Sequence, residues 1–330
     1  MSLFISKLKN IFGILIFLLI GLFIGLVINY VLKVSYFSQP SINSNNDNFF
    51  DDGLGLIICK NGTKSQSQFD IKIDCGNEFD YDLKVINGNS ADLPMVLSVM
   101  LDYEQIPFKM DGELSEKYTY KFLVKKNSEI SIPTRFYTDK MKNKGLHILN
   151  FVLNPEPEKH ASMDKEIYYS QSIVTLHNLI VSEGKDSVVP CKFLELTDVF
   201  ENGNYTGVFF GEVNGNILNY LPQTIKSKPG QKIDLPLVLG GYSNADDYLF
   251  WIYLNWEQCK LDSNCKYYYL RLPNKNLTTK KVTITAPDTK GEYEICAYLA
   301  VNPWLALNKN SIMQKTVDIA NSRRITLSVE

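Results

Sequence analysis

The sequence predicts an all-β chain: a single N-terminal transmembrane helix followed by two tandem β-sandwich domains. Three observations predict it. One apolar run lies near the N-terminus, short strand-like segments separated by turn pairs fill the rest, and one order of elements occurs twice.

The apolar run extends from Ile11 to Leu32, broken only by Asn29 and Tyr30, with no charge between Lys9 and Lys33. A helix rises about 1.5 Å per residue, so roughly 20 such residues cross the hydrocarbon core of a bilayer. A soluble helix is rarely apolar on every side for so long. Lys7 and Lys9 precede the run, whereas only Lys33 follows before Asp47. The positive-inside rule then places residues 1–10 in the cytoplasm and the remainder outside it, a single-pass cell-membrane topology. The rival is a cleaved signal peptide, whose apolar core is typically about 7–15 residues with a small-residue cleavage site. Val34-Ser35-Tyr36 matches such a site poorly. Gly21 and Gly25 form a G-x-x-x-G pair that lets two helices approach, although glycine is common in membrane helices generally. Residues 33–53 are rich in Ser, Asn and Asp and cannot bury enough surface to fold alone, so they are expected to form a flexible stalk.

Beyond the stalk the period is two. Phe79, Tyr81, Leu83 and Val85 alternate with Asp80, Asp82 and Lys84, and Ile325, Leu327 and Val329 alternate with Thr326 and Ser328. Alternation means one buried and one wet face. Val96 to Leu101, broken only by Ser98, and Tyr248 to Leu254 are apolar without alternation, as expected of strands covered on both faces. Asn87-Gly88, Asp111-Gly112, Asn202-Gly203 and Pro229-Gly230 supply turns.

The repeat is carried by Leu101-Asp102-Tyr103-Glu104-Gln105 and Leu254-Asn255-Trp256-Glu257-Gln258, each after an apolar run. Lys144-Gly145 and Lys290-Gly291 each open a second apolar run, ending at Asn154-Pro155 and Asn302-Pro303. The segments Ile173 to Val181 and Ile325 to Val329 close the two copies. Two tandem domains, 54–182 and 183–330, explain this order.

Each copy resembles an immunoglobulin-like domain at the level of the superfold. The second is closer, because Asp288 to Cys296 resembles the turn, tyrosine and cysteine that begin strand F. In that superfold the tyrosine precedes the cysteine by two residues; here Tyr293 and Cys296 are three apart and are expected on opposite faces.

Six cysteines in an exported chain suggest disulfides. Proximity favours Cys59–Cys75 and Cys259–Cys265, leaving Cys191–Cys296. No C-x-x-C grouping or neighbouring histidine supports a metal, and no cofactor is expected. With 34 Lys and Arg against 36 Asp and Glu there is no basic excess and no electrostatic case for nucleic acid. No nucleophile elbow, P-loop or dinucleotide fingerprint occurs. His147, His160 and His177 are isolated along the sequence, and the acids Asp246-Asp247 and Glu156/Glu158 read as solvated turns.

The candidate binding residues are aromatic. Tyr267, Tyr268 and Tyr269 must direct at least one ring outward if they form a strand, and Arg271, Trp256 and Trp304 accompany them. The expectation is a membrane-anchored, non-catalytic interaction or accessory protein that binds an envelope or surface protein, or itself. The alternative is a carbohydrate- or cell-wall-binding module using the second domain's aromatic residues, with polysaccharide as ligand.

Overall fold

The computed structural model describes residues 53–330 except 61–62, 65–69, 111–112, 138–144, 168, 170–171, 182–192, 197–198, 202–204, 215–216, 244, 262–264, 274 and 306–316. The expected membrane helix, with Gly21 and Gly25, and nearly all of the stalk lie outside the described residues. Among the described residues no helix is long and apolar enough to cross a membrane.

From Phe50 to Glu330 the chain forms one compact unit of β-structure. Its first half contains β1 (Leu54–Lys60), β2 (Thr63–Lys64), β3 (Asp70–Ile73), β4 (Glu78–Asn87), β5 (Leu93–Leu101) and β6 (Glu104–Ile106). It continues through β7 (Lys109–Met110), β8 (Thr119–Val124), β9 (Ser128–Tyr137), β10 (Gly145–Pro155) and β11 (Ile173–Val181). The second half contains β12 (Val199–Glu201), β13 (Gly207–Asn214), β14 (Ile217–Tyr220), β15 (Thr224–Ser227), β16 (Lys232–Gly240) and β17 (Asp247–Leu254). It ends with β18 (Glu257–Gln258), β19 (Tyr267–Arg271), β20 (Asn276–Thr285), β21 (Gly291–Val301), β22 (Asp318–Asn321) and β23 (Ile325–Val329).

Most pairings repeat between the halves, β22 on β21 being an addition in the second. In the first half one sheet runs β2-β1-β4-β9-β7, and the other runs β3-β11-β10-β5-β6 with β8 also on β5. In the second half one sheet runs β12-β20-β16-β13-β14, and the other runs β15-β23-β21-β17-β18 with β19 also on β17. The parallel pair β3–β11 has its counterpart in β15–β23. Each half is therefore a sandwich of two sheets.

The four sheets stack as successive layers, because their side-chain alternation supplies three apolar seams. Phe79, Leu83 and Val85 of β4 meet Leu97, Val99, Phe151 and Leu179 in the first seam. Leu235, Leu237 and Leu239 of β16 meet Tyr248, Phe250, Ile252 and Leu299 in another. Between them a middle seam joins the halves: Met100, Ile148 and Val152 from the first half pack on Leu249, Trp251, Tyr253 and Tyr298 from the second. The apolar runs in β5 and β17 lie in the two sheets that have a seam on each face. Even-numbered residues of β17 enter its own sandwich core, whereas Leu249, Trp251 and Tyr253 enter the middle seam. Trp251 stacks on Tyr298 at 5.2 Å between ring centroids.

The repeated motif forms the hairpin turns that lock this seam. Leu101 pairs with Glu104, and Leu254 with Glu257, so each hairpin has a two-residue loop. All four loop residues have positive φ: Asp102 (51°), Tyr103 (67°), Asn255 (50°) and Trp256 (72°). This is the type I′ pattern, which favours Asp or Asn first and Gly second. Tyr103 and Trp256 occupy the glycine position in a backbone region that costs a bulky residue about 1–3 kcal/mol. Both rings are fully buried, so packing maintains the strain.

A discriminating prediction follows for Trp256. Trp256→Ala should destabilise by about 3–5 kcal/mol in urea unfolding through lost burial. Trp256→Gly should be less damaging by about 1 kcal/mol, because glycine relieves the positive φ. Equal losses for the two variants would mean that the turn is unstrained.

Candidate interaction surface

The outward faces of the two outer sheets differ in chemistry although their strands correspond. On the first half, Asp80 pairs with Arg135 at 2.6 Å and Lys84 with Glu129 at 2.7 Å, across β4 and β9. Such a face is solvated and polar. On the second half, the same position carries Phe209, Val213, Leu218, Val238 and Leu277, with Tyr205 packed over them. Tyr220 is 51% exposed and Phe200 46% exposed. Phe200 lies opposite Leu277, and Tyr220 opposite Gly211, so register places both on this face. Phe209 packs edge-to-face with Tyr205 at 6.3 Å and with Tyr220 at 6.0 Å. Gly240 admits the Tyr205 backbone: a Cβ there would sit 2.2 Å from the Tyr205 carbonyl oxygen. A contiguous apolar patch on a sheet face is the usual mark of a contact site.

The aromatic residues singled out in sequence are placed differently. Tyr267 is in the middle seam, and Tyr268 is in the second sandwich core, 5.5 Å from Phe250. Trp256 is buried, and Trp304 packs edge-on against Tyr103 at 5.2 Å. Arg271 is exposed, and Tyr269, like Trp304, is partly buried. Tyr269 lies 5.7 Å from the exposed Phe193, and Arg271 donates from Nε to Asp247 at 2.9 Å. Burial first, then Asp247, raises the Tyr269 phenol above its usual value. The structure thus separates these six residues between core, seam and surface, because β19 alternates and because the Trp256 ring is buried beside the Arg324 guanidinium.

The cysteine pairings require correction. Cys259 and Cys296 keep their thiols, so neither Cys259–Cys265 nor Cys191–Cys296 forms. No two described cysteines are joined to one another. Cys265 is disulfide-bonded, and its partner lies outside the described residues, as does Cys191. Cys59 and Cys75 do not bridge because Cys59 sits opposite Asp82, whereas Cys75 is in the turn before Glu78. Four strand residues, at about 3.3 Å each, exceed the reach of a disulfide. Burial pushes the Cys259 thiol up to about 12 and the Cys296 thiol up to about 11, leaving both protonated and unreactive near neutral pH.

Sequence reading missed a buried ionic cluster. Glu294 of β21 is fully enclosed and accepts from Arg324 Nε at 3.2 Å, Thr326 Oγ1 at 2.8 Å and His160 Nδ1 at 2.8 Å. Arg324 reaches into the first half, donating to the carbonyls of Pro155 and Glu156 at 3.0 Å each. Its guanidinium lies 3.9 Å from the Tyr169 ring centroid and 4.7 Å from that of Trp256. In the opposite direction, Tyr103 donates to the Pro303 carbonyl at 2.7 Å. The chain's own donors surround the carboxylate and no substrate could reach it, so the cluster is a structural latch. Its members are 134 residues apart or more across the halves, which no local motif reports. His147 is likewise engaged, with Nδ1 2.6 Å from Asp102. Among the described residues no group of His, Cys, Asp and Glu could hold a metal.

Tyr293 faces the second sandwich core while Cys296 faces the middle seam, as the three-residue spacing requires. The Tyr293 hydroxyl donates to the Thr289 carbonyl at 3.0 Å. That bond, four residues back, is the one made by a tyrosine corner.

The fold is thus a pair of antiparallel-rich β-sandwiches. No family model and no curated protein matches the chain. Solved structures that match include a red sea bream transglutaminase, at 12% identity and TM-score 0.25, covering 84% of this chain and 31% of that one. Another is the C-terminal domain of the Streptococcus agalactiae AgI/II polypeptide BspA, at 9% identity and TM-score 0.21, covering 84% and 100%. A third is the C-terminal domain of the Streptococcus pyogenes antigen I/II-family protein AspA, at 10% and 0.21, covering 84% and 99%. Likeness at these scores carries no argument about function.

The latch makes a stability prediction. Arg324→Met should cost about 3–5 kcal/mol, because it strands a buried carboxylate. Adding Glu294→Leu should recover part of that loss, since replacing both charges removes the unpaired group. Urea midpoints of the two variants measure this, and a double variant weaker than Arg324→Met would refute it.

Proposed function

We propose that this is a membrane-anchored extracytoplasmic protein, without catalytic activity, that binds a protein partner through its second β-sandwich. In this reading residues 11–32 span the bilayer, 33–53 form a stalk, and immunoglobulin-like domains 54–182 and 183–330 stand outside. The supporting observation is the aromatic face on which Phe200 and Tyr220 are exposed beside the partly buried Phe209, where the corresponding face of the first half carries ion pairs. Edge-to-face rings suit an irregular apolar protein surface better than a sugar ring, which stacks on an exposed flat face. The middle seam supports this reading too, because a rigid pair of sandwiches holds one face outward without rearrangement.

The second reading is a carbohydrate or cell-wall contact at Tyr269, Arg271 and Phe193, the surface remainder of the aromatic set.

Crosslinking of membranes that contain the full-length chain, with purification in mild detergent and mass spectrometry, tests both. A reproducible protein partner is expected, and Phe209→Ser with Tyr220→Asp should lower its recovery at least about tenfold, the scale of losing an interface anchor. Undiminished recovery in that variant would exclude the face. Retention on polysaccharide that falls in Tyr269→Ala would favour the second reading.

A further inference from the structure

The contact between the halves has the form of a twofold-symmetric dimer interface closed within one chain. The Gln105 amide donates to Gln258 Oε1 at 2.8 Å, and the Gln258 amide donates to Gln105 Oε1 at 2.7 Å. Gln105 Nε2 donates to the Trp256 carbonyl at 3.0 Å, and Gln258 Nε2 donates to the Tyr103 carbonyl at 2.8 Å. These are equivalent positions of the repeated motif, and each makes to the other the bond it receives. At the turns, Tyr103 donates to the Pro303 carbonyl of the second half, and Arg324, whose guanidinium lies over the Trp256 ring, donates to the Pro155 carbonyl of the first. A residue i that contacts j while j contacts i defines an isologous interface.

We infer that this interface also forms between two copies of the chain, by reciprocal exchange: the first half of one copy docks on the second half of the other, and the reverse. Every contact of the middle seam is then made twice, and the assembly closes as a dimer with no surface left over. The covalent requirement is met, because the twelve steps from Val181 to Phe193 reach up to about 40 Å when extended. Tethering gives the intramolecular partner an effective concentration of about 1 mM. Exchange is therefore minor in dilute solution and grows as the concentration of folding chains approaches that value.

Lys117 and Lys266 report the docking. They flank the glutamine pair: Gln105 Nε2 binds the Tyr118 carbonyl at 3.0 Å, Gln258 Nε2 binds the Lys266 carbonyl at 3.3 Å, and the Lys266 ammonium lies 5.8 Å from the Tyr118 ring. Equal amounts of ordinary and ¹⁵N-labelled full-length chain, in detergent, would be unfolded together, refolded, and treated with a short amine-reactive crosslinker. Links between Lys117 and Lys266 within a copy score the correctly refolded material. Links joining a light to a heavy peptide score exchange. Roughly a tenth of all such links should be mixed after refolding at about 0.3 mM, and under about 1% at about 3 µM. A mixture never unfolded sets the background, including any pairing through the N-terminal segment. Mixed links at background level at both concentrations, with within-copy links present, would overturn the inference. So would mixed links that do not rise with concentration.

Discussion

Everything in this structure depends on burying the second face of two sheets. An antiparallel sheet can leave one face in water, but β5 and β17 have no polar face to leave. Their apolar residues point both ways, so each half alone would expose Met100, Ile148 and Val152, or Leu249, Trp251 and Tyr298. Laying the two faces together removes both surfaces at once. The cost is the confinement of polar groups inside the seam, which is offset in part by pairs across it: Tyr298 donates to Asn154 Oδ1 at 2.6 Å, and Ser98 lies 3.3 Å from the Tyr253 hydroxyl, whereas the side chain of Asn150, between Ile148 and Val152 on β10, is buried without a hydrogen bond. Burial holds the Tyr253 and Tyr298 phenols protonated, well above their ordinary range.

The seam is symmetric in outline and asymmetric in chemistry. The Asp102 amide donates to the Ile148 carbonyl, and the equivalent Asn255 amide donates to that of Glu294. At these matching places one half has an apolar side chain and the other a buried carboxylate. The Glu294–Arg324 latch therefore fixes which half lies on which side of the pseudo-twofold axis, a role for which a buried ion pair is suited even where its net contribution to stability is small. The outer faces are also unequal. The ion-paired face belongs to the first half and the aromatic face to the second.

Much of the fold was legible in the sequence, for a specific reason. Period two identified single-faced strands such as β4, and the absence of a period in Val96–Leu101 and Tyr248–Leu254 marked strands covered twice. The repeat of Leu101–Gln105 in Leu254–Gln258 was visible, but not that the two copies touch, since sequence carries no record of which faces meet. The cysteines misled because proximity along the chain was used for proximity in space, and the turn at Cys75 lies beyond reach of Cys59. The candidate aromatic site was only partly legible. Alternation put one tyrosine of Tyr267–Tyr269 outward relative to its own sandwich core on either side of Tyr268, yet the outward face of that sheet is the seam, so Tyr267 is buried there. Phe209 and Tyr220 went unnoticed because a surface aromatic and a core aromatic look alike in an alternating strand.

The middle seam makes the two sandwiches one cooperative structure. Native-state hydrogen exchange measured strand by strand tests it most directly. The slowest amides of β5, β10, β17 and β21 are expected to share one opening free energy, equal to that of global unfolding, and to respond identically to added denaturant. If the amides of one half exchanged through an opening of lower free energy and smaller denaturant dependence, while the other half stayed protected, the sandwiches would be independent and the claim would be wrong.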